Sequence, residues 1–353
     1  MPRSEADSGA TVMARAPLRV SLAGGGTDLP SYARRYGGQV LSFAINRYVA
    51  VAVHPRHFDG TLRATWEQPE RATRADELEN PYARAALART GLDGAMQLTS
   101  FSDVPSGTGL GSSAAFTVAL LHALRHGEQP SPRELAEEAA AVEMTDLARP
   151  VGKHDHYVAA FGGLRLLHID RRLAVTVEEL PVSPALETYL REDLLLFHTG
   201  TSRDAGRILA DQDRRTERDH SGTVDALRAI HTLVDRMREA LRDDRVRDIG
   251  PILHEHWLHK SGLSTKVSSA RIDRLYQLAV HAGADGGKVL GAGGGGFLLV
   301  SCRPGRAESV RRAMRRAGAR ELPFGTETDG SRTTALVPGS LRAGGDAASS
   351  DTT

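Results

Sequence analysis

The residues that could do chemistry gather first in Pro105-Ser106-Gly107-Thr108-Gly109-Leu110-Gly111-Ser112-Ser113-Ala114-Ala115. Three glycines alternate with other residues, two hydroxyls follow, and an apolar run over 114–124 comes next. Glycine lets backbone approach a ligand with no Cβ in the way. A helix over the apolar run turns its free N–H groups, and the positive end of its dipole, back onto the loop. Together they make a site for an anion, most often phosphate. Taken alone, the stretch is equally compatible with a glycine-rich turn ahead of a core helix.

Other motifs narrow the choice. Gly291, Gly293 and Gly296 match G-x-G-x-x-G in form. A dinucleotide fingerprint needs a helix directly after its glycines, and Phe297-Leu298-Leu299-Val300 reads as a strand. The first stretch has Ser112 in the third glycine's place, and Gly111 where a P-loop carries lysine. A Rossmann dehydrogenase and a P-loop NTPase are both disfavoured. In His254-Glu255-His256-Trp257-Leu258-His259, Leu258 stands where an H-E-x-x-H zinc motif needs histidine. That segment reads as a helix with packed or exposed histidines.

The 353 residues suffice for about two domains. A hydrophobic share of 40% with 25% charged residues is ordinary for a soluble globular chain. The net charge of +1 exerts no general pull on nucleic acid or membrane. Cys302 is the single cysteine, which excludes an internal disulfide and argues against a cysteine zinc site. No run reaches the roughly 18 apolar residues of a membrane span, and residues 1–10 lack the apolar centre of a secretory signal. A cytoplasmic location is expected. Nearly all basic residues are arginine; the lysines are Lys153, Lys260, Lys266 and Lys288. Codon bias accounts for that scarcity, or else these positions need a compact point charge, as on phosphate.

The elements that must position these groups follow from periodicity. Leu18, Val20 and Leu22 alternate with Arg19, Ser21 and Ala23, which predicts a strand. It runs into Gly24-Gly25-Gly26-Thr27-Asp28-Leu29-Pro30, where Pro30 opens a helix, Asp28 can cap it, and Gly37-Gly38 close it. Residues 40–53 read as one long or bent strand and 61–66 as another. A helix over 81–89 ends at Gly91, and the strand 96–101 delivers the glycine loop. Ser131-Pro132-Arg133-Glu134 is a capping box with proline first, opening a helix to about 147. Pro150 breaks the chain before Val151-Gly152-Lys153-His154-Asp155-His156-Tyr157. A hairpin follows over 164–169 and 173–180, and 181–184 is the domain boundary. Beyond it come a strand at 194–198, helices over 203–218, 222–242, 246–261 and 271–282, a strand at 297–302 and a helix near 305–317. There is no internal repeat. The expected domains are 11–183 and 184–338, with disordered tails at 1–10 and 339–353.

Three motifs, in order, resemble those of the GHMP kinases, the superfamily of galactokinase, homoserine kinase, mevalonate kinase and phosphomevalonate kinase. They are residues 16–28, 105–115 and 288–296, within a similarity spanning about 14–335. Residues 24–30, 151–157 with Phe161-Gly162-Gly163, and 286–297 look most like the D-glycero-D-manno-heptose 7-phosphate kinases. In that family ATP phosphorylates the anomeric hydroxyl of a heptose already carrying phosphate. Its members usually show glutamine where this chain has His154 and His156.

The resemblance implies an α+β fold of two domains: an N-terminal half like ribosomal protein S5 domain 2 and a ferredoxin-like C-terminal half, with substrates meeting between them. It implies ATP and Mg²⁺ as cofactors and a sugar phosphate as partner, with no nucleic acid and no membrane; it leaves the oligomeric state open. Asp155 becomes the catalytic base, accepting the hydroxyl proton, rather than an aspartate in a polar turn. Arg19 lies beside it, lowering its pKa and steadying the transferring charge, rather than being an exposed strand arginine. Pro105, Gly107, Thr108, Gly109, Leu110, Gly111, Ser112 and Ser113 hold the nucleotide phosphates. Ser113 and Glu143 hold the metal, which prefers few protein oxygens; the alternative for Glu143 is a solvated helix charge. Thr27 and Asp28 meet sugar hydroxyls, and Gly25 and Gly26 leave room for a larger substrate. Lys153, Arg203 and Lys288 are expected at the sugar's own phosphate, and His154, Gly293 and Gly294 complete the substrate set. The expected product is the 1,7-bisphosphate. The alternatives are a 1-kinase of an unphosphorylated sugar, of fucokinase or galactokinase type, and a non-catalytic sugar sensor. The joint presence of Asp155, Glu143, Ser113 and Arg19 argues against a sensor.

Overall fold

The alternation at the start of the chain is part of a longer strand. In the computed structural model, which describes residues 9–56, 58–201, 205–218 and 221–336, β1 runs Thr11–Ala23. Then come α1 (Pro30–Tyr36), β2 (Gly38–Pro55), β3 (Leu62–Thr65), β4 (Pro69–Ala72), α2 (Pro81–Thr90) and β5 (Met96–Ser102). The glycine loop leads into α3 (Ser112–Leu124), followed by α4 (Pro132–Ala141), α5 (His154–Phe161), β6 (Leu164–Ile169) and β7 (Val175–Leu180). The second half holds α6 (Pro184–Glu192), β8 (Leu194–His198), α7 (Ala205–Glu217), α8 (Ser221–Arg242), α9 (Ile249–Ser261) and α10 (Ala270–Ala282). It ends with β9 (Ala284–Val289), β10 (Phe297–Cys302), α11 (Ala307–Arg316), β11 (Arg320–Glu321) and β12 (Arg332–Leu336). No helix among the described residues is long and apolar enough to cross a membrane.

The first sheet has the order β12-β1-β2-β5-β3-β4, with β6 also on β2 and β7 on β6. The expected long strand is β2. Its first residues pair with β6 and its last with β5, so one bent strand serves both. The second sheet has the order β11-β8-β10-β9 and is antiparallel throughout. Its β10 is buried along its whole length, as a continuous apolar run requires. Helix α3 packs on β1 and β2 and buries residues all round, including Val118, Leu120 and Leu121, because α4 and α5 cover its other side.

Several expectations change. Ser183 and Pro184, within the expected boundary, start α6, which the periodicity reading leaves out. Ser183 Oγ accepts from Leu186 N–H at 3.1 Å, and Leu186, Tyr189 and Leu190 form its buried face. Asp28 does not cap α1; Leu29 occupies that position without a side-chain cap. Residues 154–161 are helical rather than a turn. Past Ala141 the α4 helix widens into a π-turn, Val142–Asp146. The final strand, β12, lies within the expected second domain yet pairs with β1, Met13 opposite Thr334. An unpaired β1 edge would leave backbone groups open, and the returning chain closes it. The expected tails lie almost wholly outside the described residues, and so does Arg203.

The two sheets meet through glycine. Phe297 N–H donates to the Thr108 carbonyl at 3.1 Å. Gly296 sits at φ +76°, and a Cβ there would lie 2.2 Å from Thr108 O. Gly291 and Gly109 touch in the same way, with a Cβ on Gly291 2.6 Å from Gly109 Cα. Only residues without side chains allow this approach. A Gly296→Ala substitution should therefore lower unfolding free energy by roughly 2 kcal/mol or more, through strain and steric displacement. Urea unfolding measures this, and an unchanged midpoint would contradict the packing described.

Candidate active site

Strand β1 sets Leu18, Val20 and Leu22 into the core and turns Arg19 and Ser21 toward a cleft of about 1100 Å³ between the two halves. Arg19 is 3% exposed. Its Nη1 donates to the Gly109 carbonyl at 2.6 Å, and its backbone N–H to the Leu110 carbonyl at 3.1 Å. Its fork closes on Asp155, Nε to Oδ1 at 2.7 Å and Nη2 to Oδ2 at 2.6 Å. Two parallel charge-assisted bonds of this kind fix geometry as well as charge. One side chain thus ties the glycine loop to α5.

The loop is shaped for an anion. Gly107, Gly109 and Gly111 have φ of +70°, +87° and +76°, an arrangement that turns backbone N–H groups inward. Helix α3 starts directly after Gly111. Ser112 and Ser113 line the cleft in its first turn, with Pro105, Ser106 and Gly107 on the same wall. Thr108 and Leu110 are buried instead: Thr108 Oγ1 donates to Pro105 O at 2.9 Å, and Leu110 packs in the core.

Helix α5 places Asp155 in its first turn, with the side chain a quarter exposed. Beside it His154 lies between two carboxylates. Its Nε2 is 2.6 Å from Asp155 Oδ1 and its Nδ1 is 3.0 Å from Asp28 Oδ2. Burial alone would lower its pKa, but the charges of Asp155 and Asp28 and the bonds to both outweigh burial and lift it to about 9. It carries a proton at neutral pH, and its Nε2 lies 3.0 Å from Arg19 Nε as well as beside Asp155. Burial raises the Asp155 carboxyl, yet the Arg19 and His154 charges hold it well below the usual range. Asp28 is lowered likewise: burial opposes, and His154 prevails. Gly152 makes the approach possible, since a Cβ there would lie 1.9 Å from Asp28 Oδ2.

The π-turn carries Glu143 into the same cleft. An extra residue in a helical turn re-aims a side chain, and here it leaves Glu143 2% exposed, accepting from His156 Nε2 at 3.2 Å. No cluster of three acidic, histidine or cysteine side chains among the described residues could hold a metal unaided. A buried carboxylate and the exposed Ser113 hydroxyl on one cleft do fit a cation that takes its remaining ligands from phosphate and water. Beside these two residues the wall is aromatic: Trp66 meets Phe116 edge-on at 5.2 Å, with Tyr82 next to Phe116.

Gly25, Gly26, Asp28 and His154 also line the cleft. Other expected residues are turned elsewhere. Thr27 Oγ1 is buried 2.8 Å from both the Gly24 and Gln39 carbonyls, where it holds the loop. Lys153 Nζ is paired with Glu137 at 2.6 Å, because the first turn of α5 faces that residue across from α4. Lys288 is fully buried on β9, donating to Leu22 O at 3.2 Å. Gly293 and Gly294 pack on Val267, with Gly294 N–H donating to Val267 O at 2.7 Å. None of these lines the cleft. Lys260, which sequence reasoning left without a role, does line it; its only signal was the scarcity of lysine. The 254–259 segment is helical as expected, with His254 stacked on Tyr276.

Models of the GHMP kinases N terminal domain and C terminal domain match residues 78–163 and 237–320. The chain is 29% identical over 326 residues to the D-glycero-alpha-D-manno-heptose 7-phosphate kinase of Campylobacter jejuni, covering 87% of this chain and 94% of that protein. It is 30% identical to a galactokinase of Mycobacterium bovis, covering 87% of this chain and 93% of the other. A crystal structure named as a D-glycero-D-manno-heptose 1-phosphate kinase from Bacteroides thetaiotaomicron aligns with a TM-score of 0.75 at 25% identity, over 92% of this chain and 99% of that one.

The His154 bridge has a thermodynamic consequence. A pKa raised on folding from 6.5 to about 9 adds stability that is complete below pH 6.5 and is lost as pH rises through about 9. The amount is on the order of 3 kcal/mol. Thermal midpoints of the wild type should fall across that window, and His154→Gln should remove most of the fall. Parallel profiles for the two proteins would show that no such bridge forms.

Proposed function

The chain belongs to the GHMP kinases, and on that premise we propose that it is an ATP-dependent sugar 1-kinase. The reaction is transfer of the γ-phosphoryl group of ATP to the anomeric hydroxyl of D-glycero-D-manno-heptose 7-phosphate, giving the 1,7-bisphosphate. The observation that carries this reading is the row Arg19, Asp155, His154, Asp28 set beside the glycine loop. It joins a phosphate cradle to two carboxylates able to receive sugar hydroxyls.

In this reading the loop N–H groups and the start of α3 take the nucleotide phosphates, and the Trp66, Tyr82 and Phe116 wall suits a purine. Ser113 and Glu143 would hold Mg²⁺, which when bound neutralises charge on those phosphates. Asp28 accepts a hydroxyl from the sugar and so sets its orientation. Asp155 accepts the anomeric hydroxyl. The new bond joins that oxygen to phosphorus as the bond between phosphorus and the β–γ bridging oxygen breaks. With its pKa held down, Asp155 is a weak base toward an unreacted hydroxyl. It takes the proton late, once bonding to phosphorus has made the hydroxyl acidic, which suits a loose transfer. Arg19 holds Asp155 in place and supplies positive charge next to the Gly109 carbonyl.

The substrate's own phosphate is supported by the heptose 7-phosphate kinase relative and by the open space over Gly25, where a Cβ would have no neighbour nearer than 3.9 Å. One observation favours a free-sugar 1-kinase instead: Lys153 and Lys288, the expected ligands of that phosphate, both point away from the cleft. A panel of heptose 7-phosphate, free heptose, fucose and galactose, followed by ATP consumption and NMR of the product's anomeric centre, separates the two. The 7-phosphate should be the preferred acceptor, and turnover of free sugars alone would overturn that choice. Asp155→Asn should reduce kcat by about 10²-fold or more while leaving nucleotide affinity within a few-fold; undiminished turnover would remove Asp155 from the chemistry.

A further inference from the structure

Three basic groups lie close together under the third glycine motif with no acidic partner among the described residues. Lys288 Nζ is 3.5 Å from His256 Nε2, and both are fully buried. Lys260 stands one helical turn past His256 on α9 and is 6% exposed. Its Nζ donates to the Val289 carbonyl at 2.9 Å and to the Gly291 carbonyl. An ammonium carries three donors, so one remains. Of these three groups, only Lys260 reaches the cleft. Gly291, the residue it grips, is the one that touches Gly109 of the glycine loop.

Burying a charge without a counter-charge is costly. Arg19 does not relieve the cost, since it is itself a cation and its own charge is spent on Asp155. The charged and titratable groups facing Lys260 are Arg19 from β1, Lys288 from β9 and His256 from its own helix. All are basic. Burial, and then the Arg19 charge, bring the lysine down to about 7. A carboxylate would have been the ordinary remedy, as Glu137 is for Lys153. Among the described residues none supplies that counter-charge, and the open side of Lys260 faces the cleft.

We propose that Lys260 is a substrate ligand whose missing counter-ion is a phosphate oxygen in the cleft. The inference rests on the kinase reading of this site and adds a residue to it. A dianionic phosphate oxygen takes the third N–H, restores the full charge of the lysine, and fixes the lysine between the ligand and the Gly291 carbonyl. Two phosphates could supply that oxygen: the γ-phosphate of ATP, or the phosphate that the sugar already bears. A compact ammonium suits either as a point charge.

Lys260→Gln tests the charge while retaining an amide donor for the carbonyls, and Lys260→Arg retains the charge. Affinities of each protein are measured by calorimetry for MgATP, MgADP, heptose 7-phosphate and free heptose, with urea unfolding alongside. If the γ-phosphate is the ligand, Lys260→Gln loses about 10- to 100-fold in the preference for ATP over ADP. If the sugar's phosphate is the ligand, the same loss appears in the preference for heptose 7-phosphate over heptose. Lys260→Arg should keep the affected preference within several-fold. A purely structural lysine would weaken all four ligands alike; unchanged ratios for both pairs in Lys260→Gln overturn the proposal, and if urea unfolding shows that this variant does not fold, unchanged ratios in Lys260→Met do so in its place. Wild-type protein that binds neither nucleotide overturns the kinase reading and this inference with it.

Discussion

The structure around the cleft depends on the ion pair between Arg19 and Asp155. Arg19 comes from the first strand, Asp155 from a helix more than a hundred residues later, and the Gly109 carbonyl from the loop between them. The guanidinium is nearly inaccessible to water, so its interactions are stronger than at a surface, and removing any partner would strand a buried charge. That makes the pair a constraint on the whole first half of the chain. β1 must deliver Arg19 at one register, α5 must begin at His154, and the glycine loop must turn its Gly109 and Leu110 carbonyls toward Arg19.

The glycines are the steric counterpart of that constraint. The loop at 107–111 can lie against the segment at 291–296 only because a glycine stands on at least one side of each close contact, Gly109 against Leu290 and Gly291, and Gly296 against Thr108. The third motif therefore acts from behind the loop. Its Gly293 and Gly294 are taken up by Val267, and its influence on a bound phosphate passes through Gly291, Gly109 and the Phe297–Thr108 hydrogen bond. Gly152 does the same for the sugar end, leaving a place for the Asp28 carboxylate.

Periodicity, capping and turn residues made much of this legible. The strand under Arg19, the long bent β2, the capping box at Ser131 and the loop-to-helix step at Ser112 all follow from local chemistry. The gathering of Arg19, Asp28, Glu143 and Asp155 was implied by the resemblance to the GHMP kinases rather than by periodicity or spacing. What was not legible depended on partners distant in sequence. Lys153 finds Glu137 and Lys288 finds Leu22 only once the chain is folded, and nothing in the pattern tells which way such a lysine turns. The π-turn at 142–146 has no composition signature, although it sets the aim of Glu143. The return of β12 to β1 depends on an open edge elsewhere in the chain. Helix α6 is different in kind: Ser183-Pro184 repeats the Ser131-Pro132 signal, and its two apolar turns were there to be read.

Charge balance gives the site its character. Arg19, His154, Asp155 and Asp28 bring two positive and two negative groups together, and with His154 protonated the four charges cancel. Glutamine at position 154 would leave a net negative charge facing substrates that are themselves anionic. The histidine permits two carboxylates to lie close together without one of them becoming protonated, which is the usual fate of such a pair. Asp28 stays ionised to accept a hydroxyl, and Asp155 stays ionised to accept another. The cost is basicity: a carboxylate flanked by a guanidinium and an imidazolium is a poor proton acceptor. The arrangement therefore favours positioning and charge stabilisation over proton abstraction, which is what a loose phosphoryl transfer asks of its protein.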